Sequence, residues 1–92
     1  MSLATPSVAA RTVRLALAMA AADQRCAFPW HERVRLTKVL AEDAPLAPAD
    51  WQRWGWLVLT WLVETRPTLT RQVEDAVARW KQEEALWQTS RP

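Results

Sequence analysis

Few side chains in this sequence could do chemistry. It holds one histidine, His31, one cysteine, Cys26, and one glycine, Gly55. A metal site within the chain would need His31, Cys26 and carboxylates together, and no two of these stand at a ligand spacing such as i and i+4 on one helical face. His31 and Glu32 are adjacent, so on a helix they point about 100° apart and cannot orient one another as a dyad. Cys26 falls on an apolar stripe with Val8, Leu15 and Met19, the setting of a buried structural thiol; only the neighbouring Arg25 speaks for a thiolate nucleophile. The acidic neighbours Glu42-Asp43, Glu74-Asp75 and Glu83-Glu84 are pairs in sequence, and solvation accounts for them without a shared catalytic cleft. With one glycine there is no glycine-rich loop to cradle phosphates. These residues predict a non-enzymatic protein with no catalytic residue, no metal and no cofactor.

The elements that position these residues follow from the punctuation of the chain. Ninety-two residues, 50% hydrophobic and 24% charged, suit one domain spanning 1–92. With no Asn and a single Gly, the chain lacks the residues that tight hairpin turns require, which argues against a β-rich fold. Prolines 6, 29, 45, 48 and 67 sit where helices would start or stop. The spacing predicts an all-α, single-domain bundle of four helices, at about 6–27, 30–42, 48–65 and 69–88. Thr5-Pro6 would open the first, Pro48 or an Asp50 cap the third, and Thr68 or Thr70 would cap the fourth.

Helical periodicity then assigns faces. In the first helix Val8, Leu15, Met19, Ala22 and Cys26 form an apolar stripe widened by Val13, Leu17 and Ala20, leaving a ridge of Arg11, Arg14 and Arg25. The second sets Leu36, Val39 and Leu40 on one side and Trp30, Val34 and Ala41 on another, with His31, Arg35, Lys38 and Glu42 on a separate stripe. The third is apolar almost all round: Trp51, Trp54, Val58, Trp61 and Leu62 on one face, Trp56, Leu59 and Val63 nearly opposite. Such a helix is expected to be central or shared with a partner, including a second copy of the chain. The fourth turns Leu69, Val73, Ala76, Val77, Trp80 and Trp87 inward, with Arg71, Asp75, Arg79 and Glu83 as a self-paired solvated face.

Two features point to binding. Residues 1–41 carry six bases against two acids, a net of +4, although the whole chain is only +2. If the first two helices pair, their basic ridges merge into one surface for phosphates or an acidic protein, with Arg11, Arg14, Arg25, His31, Arg33, Arg35 and Lys38 as its residues. The second feature is the seven tryptophans, more than so small a core readily hides. Trp30, Trp51, Trp54 and Trp56 are the candidates for a protein interface, where Trp is enriched.

The expected function is an accessory subunit or modulator, even an inhibitor, that docks on a larger protein or nucleoprotein assembly. The alternative is a sequence-nonspecific binder of the nucleic-acid backbone through the first two helices. Helix-turn-helix reading of DNA fits poorly, because the first turn lacks glycine and the third helix is too apolar for a groove. A lone cysteine suits a reducing, cytoplasmic setting. The segment Val13 to Ala22 resembles a signal peptide's apolar part, but Arg14 interrupts it and Asp23-Gln24-Arg25 follows. The run Trp54 to Val63 is too short to span a bilayer, which needs about 20 residues. Ten Arg against two Lys, with no Asn, Ile or Tyr, match the codon usage of a GC-rich, bacterial or phage-like genome.

Overall fold

A computed structural model of the chain describes residues 7–42 and 45–89, and side chains as far as Ala85. The Thr5-Pro6 helix start, Asp43 and the Trp87 side chain lie outside the described residues. Four helices follow in order: α1 (Val8–Ala22), α2 (Trp30–Ala41), α3 (Pro48–Thr65) and α4 (Pro67–Thr89). The described residues contain no strand, so the protein is an all-α four-helix bundle.

Side-chain contacts give the directions of the helices. Ser7 caps the start of α1 by accepting from the Ala10 amide, and its hydroxyl donates to Glu83 Oε1 at 2.6 Å, late in α4. The helices α1 and α4 therefore run antiparallel. A single residue, Arg66, joins α3 to α4: its amide donates to Leu62 O and its carbonyl accepts from the Leu69 amide. Proline 67 fits there because its missing N–H is one that a first helical residue leaves unpaired anyway. The fourth helix thus starts at Pro67, two residues before the expected 69, and Glu83 serves the α1 cap rather than a self-paired outer face.

Helix α1 ends at Ala22, five residues short of the expected 27. Asp23 is extended, and its carboxylate accepts from the Arg25 amide at 2.9 Å, a local turn that competes with continued helix. The released segment sends Cys26 and Phe28 into the core. Pro48 starts α3 as expected, while Asp50 is not the cap: it sits one turn in and accepts from the Ala47 amide at 2.9 Å.

The core is built large on small. Trp51, Trp54, Val58, Trp61 and Leu62 of α3 and Val73, Val77 and Trp80 of α4 are buried, facing Ala9, Val13, Ala16, Leu17 and Ala20 of α1. Four bulky indoles leave room only for a slim opposing surface, and the alanines let the α1 backbone approach. The expected α1 stripe is consequently corrected: Val8 is 67% and Leu15 60% exposed, Ala22 is exposed, and Met19 only flanks the core. Gly55 has a steric reason of its own, since a Cβ there would lie 2.5 Å from Cε2 of Trp51, whose ring rests on the next turn of α3.

Candidate docking surfaces

The arginines divide into those turned inward and those left outside. Arg14, in the middle of α1, donates to Leu40 O at 2.7 Å and Glu42 O at 2.8 Å, the carbonyls at the end of α2. Arg33, in the first turn of α2, donates to the carbonyls of Ala21 and Cys26, with longer contacts to those of Ala20 and Asp23, while its guanidinium lies 5.3 Å from the Phe28 ring centre. Each helix of the antiparallel α1–α2 pair is thus closed at its C-terminal end by an arginine from the other. Helix ends present unpaired carbonyls and a partial negative charge, which the guanidinium answers with several donors at once.

Two carboxylates perform a similar service for the core indoles. Glu32 accepts from Trp54 Nε1 at 3.1 Å and from Arg53 Nε at 3.0 Å. Asp23 accepts from Trp61 Nε1 at 3.0 Å and from the Arg25 guanidinium at 2.8 Å. The Arg53 hydrogen bond, then that from Trp54, hold Glu32 below the usual carboxylate range. Those from Arg25, through side chain and amide, and then Trp61, hold Asp23 far below its own. Burial pushes the Cys26 thiol up, which keeps it protonated, and its Sγ faces Leu57 O at 3.7 Å.

The seven candidates for the basic surface are therefore not one face. Arg14 and Arg33 bind carbonyls and Arg25 is neutralised by Asp23, while Arg11 stands exposed on α1 and His31, Arg35 and Lys38 line the outer side of α2. The four tryptophan candidates split evenly. Trp51 and Trp54 are buried in the core, whereas Trp30 is 78% and Trp56 74% exposed. Beside Trp30 lies exposed Val34, one turn on; beside Trp56 lie half-buried Leu59 and exposed Val63, one and two turns on. Both groups follow the helical spacing that sets Val34 beside Trp30, and Leu59 and Val63 beside Trp56.

A shallow depression of about 400 Å³ near the end of α1 is lined by Met19, Asp23, Arg25, Trp61 and Arg66 among others. Its carboxylate is already taken by Arg25 and Trp61, and Arg66 lies over the Trp61 ring at 5.4 Å. Among the described residues no three His, Cys, Asp or Glu side chains gather as a metal would need, and no helix is long and apolar enough to cross a membrane. Compared with family models, curated proteins and solved structures, the chain matches none.

Proposed function

We propose that the chain is a small non-enzymatic docking protein, an accessory subunit or modulator that attaches to a larger assembly through its exposed tryptophans. The observation that carries this reading is the division of the indoles. Trp51, Trp54, Trp61 and Trp80 complete the core, while Trp30 and Trp56 stand outside it, each with apolar neighbours on its own helix. Trp is enriched among interface hot spots, and exposed apolar patches of this kind mark interaction surfaces. The outer face of α3, with Gln52, Trp56, Thr60 and Val63, is flanked by exposed Arg53 and Glu64, and its apolar centre also suits contact with a second copy of the chain.

The alternative, a nucleic-acid-backbone binder, draws support from Trp30 standing on the same outer side as the cations Arg35 and Lys38. It is the weaker reading because Arg14, Arg25 and Arg33 are engaged within the protein. Affinity capture from the native host separates the two. The wild-type chain should retain one stoichiometric protein with or without nuclease, and Trp30→Ser or Trp56→Ser should lose it. Retention by both variants would remove the tryptophan reading, and loss of all captured material on nuclease treatment would move the function to the nucleic-acid backbone.

A further inference from the structure

The outer side of α2 differs from that of α3 in carrying two cations, Arg35 and Lys38, on one flank, where α3 carries one charge of each sign, Arg53 and Glu64. At helical spacing Trp30, Val34 and Ala41 form a single exposed stripe, and Lys38, His31 and Arg35 lie together along one edge of it. The opposite edge falls away toward the protein through Leu40 and Leu36, and its one cation, Arg33, is spent on the α1 carbonyls. Eleven residues of rise give the stripe a length of about 16 Å, or three turns. Glu42 closes the cationic edge with the opposite sign.

We infer that this face seats an acidic amphipathic helix of a partner protein, its apolar side on Trp30 and Val34 and its carboxylates along Arg35 and Lys38, with His31 beside them. The inference rests on the docking reading and names the chemistry of the partner. Charge complementarity selects the occupant: an apolar ridge with cations on one edge matches an apolar stripe with acids on one edge, and Glu42 fixes where those acids must stop. Val34 gives a partner side chain something to pack against that a stacked base would not use. The two cations, Arg35 and Lys38, stand three residues apart, about 4.5 Å of helix rise, which is too little to track a phosphate backbone.

The test uses the full chain, isotopically labelled for nuclear magnetic resonance, and three short synthetic helical peptides. They share one leucine stripe and differ only along one flank, which carries Glu, Gln or Lys. The Glu peptide should shift the Trp30 indole signal and the amides of Val34, Arg35 and Lys38 saturably, and the Lys peptide should not. Changing Arg35→Glu with Lys38→Glu should weaken the Glu peptide by about tenfold or more and favour the Lys peptide instead. Both side chains are exposed, so the variant is expected to keep its circular dichroism spectrum, with the melting temperature lowered only slightly by the negative charge that Lys38→Glu places in the last turn of α2. No saturable shift with the Glu peptide, or an equal shift with the Lys peptide, overturns the inference. So does binding of phosphatidylglycerol vesicles or a single-stranded oligonucleotide at these residues in place of the Glu peptide. If the peptide fails while Trp30→Ser still abolishes capture of the native partner, the acidic helix is wrong and the docking reading stands. If Trp30→Ser also leaves capture intact, this face has no docking role.

Discussion

Trp54 is 1% exposed at the centre of α3, yet its indole N–H reaches Glu32 on α2, a helix with no Cα within 8 Å of any in α3. Side chains alone bridge the two helices there, with Arg53 gripping the same carboxylate. Glu32→Ala should therefore destabilise the fold more than Arg53→Ala does, because it also leaves the Trp54 indole N–H without its acceptor. Arg53→Ala should cost under about 1 kcal/mol, because it removes only a surface ion pair. Chemical denaturation of both variants checks the difference, and equal losses would show that the ion pair, not the indole bond, holds α2 to α3.

The acid limb of stability follows from Asp23 and Glu32. Both carboxyls are held below their ordinary values in the folded chain, Asp23 mainly by Arg25 and Glu32 mainly by Arg53. A group depressed on folding contributes its full stabilisation above its unfolded value, about 4, and loses it as pH falls through the folded value. Melting temperature should hold down to about pH 5 and then drop with increasing acidity. The double variant Asp23→Asn with Glu32→Gln should start lower at neutral pH and show a flatter acid limb. An acid limb of unchanged slope would assign acid sensitivity to other carboxylates.

Gly55 breaks the usual ranking of helix formers. In an exposed helix interior, Gly→Ala gains about 1 kcal/mol. Here the added methyl would meet the ring of buried Trp51 at 2.5–2.9 Å. Gly55→Ala should lower stability by about 1–3 kcal/mol, as overpacking does, and shift the Trp51 signals. A rise in melting temperature would mean that Trp51 has another place to lie.

Two arginines one turn apart should behave in opposite ways. Arg11 is exposed on α1, whereas Arg14 closes the end of α2. Arg11→Glu is expected within about 0.5 kcal/mol of wild type, as for an ordinary surface change. Arg14→Glu removes the donors from two carbonyls and places a negative charge at a helix C-terminus, so α2 amides should lose protection from hydrogen exchange. Equal protection in both variants would show that the end of α2 does not need the guanidinium.

The pair Trp54 and Trp56 makes the sharpest contrast along α3. Trp54→Glu buries an unpaired charge and should unfold the domain, while Trp56→Glu should leave helicity and melting temperature nearly unchanged. Sedimentation of wild type and Trp56→Glu reads the exposed Trp56 face of α3 at the same time. A dimer that Trp56→Glu dissociates would assign that face to self-association, and a monomer in both cases would leave it to another partner.

The number and order of helices were legible because prolines act locally: Pro29, Pro48 and Pro67 constrain the backbone wherever the chain later goes. The inward face of α3 was legible too, since Trp51, Trp54, Val58, Trp61 and Leu62 repeat at helical spacing. The orientation of α1 was not, because the helix is apolar on two sides, and what buries Ala9, Ala16 and Ala20 is the volume of indoles contributed by other helices. Nor could sequence tell Arg14 and Arg33 from Arg11 and Arg35. A guanidinium turns inward when carbonyls of another helix end within its reach, and that position exists only once α1 and α2 have paired.

The one-residue corner at Arg66 bears on how this chain can change in length. With Arg66 alone between α3 and α4, nothing there can absorb an inserted or deleted residue, and an insertion taken up by the helix would turn α4 by about 100° and carry Val73, Val77 and Trp80 off the core. The segment between α2 and α3 contains several residues, so it can grow or shrink without changing which side of either helix faces inward. Length polymorphism in relatives of this chain should therefore gather before Pro48 and be absent at Arg66.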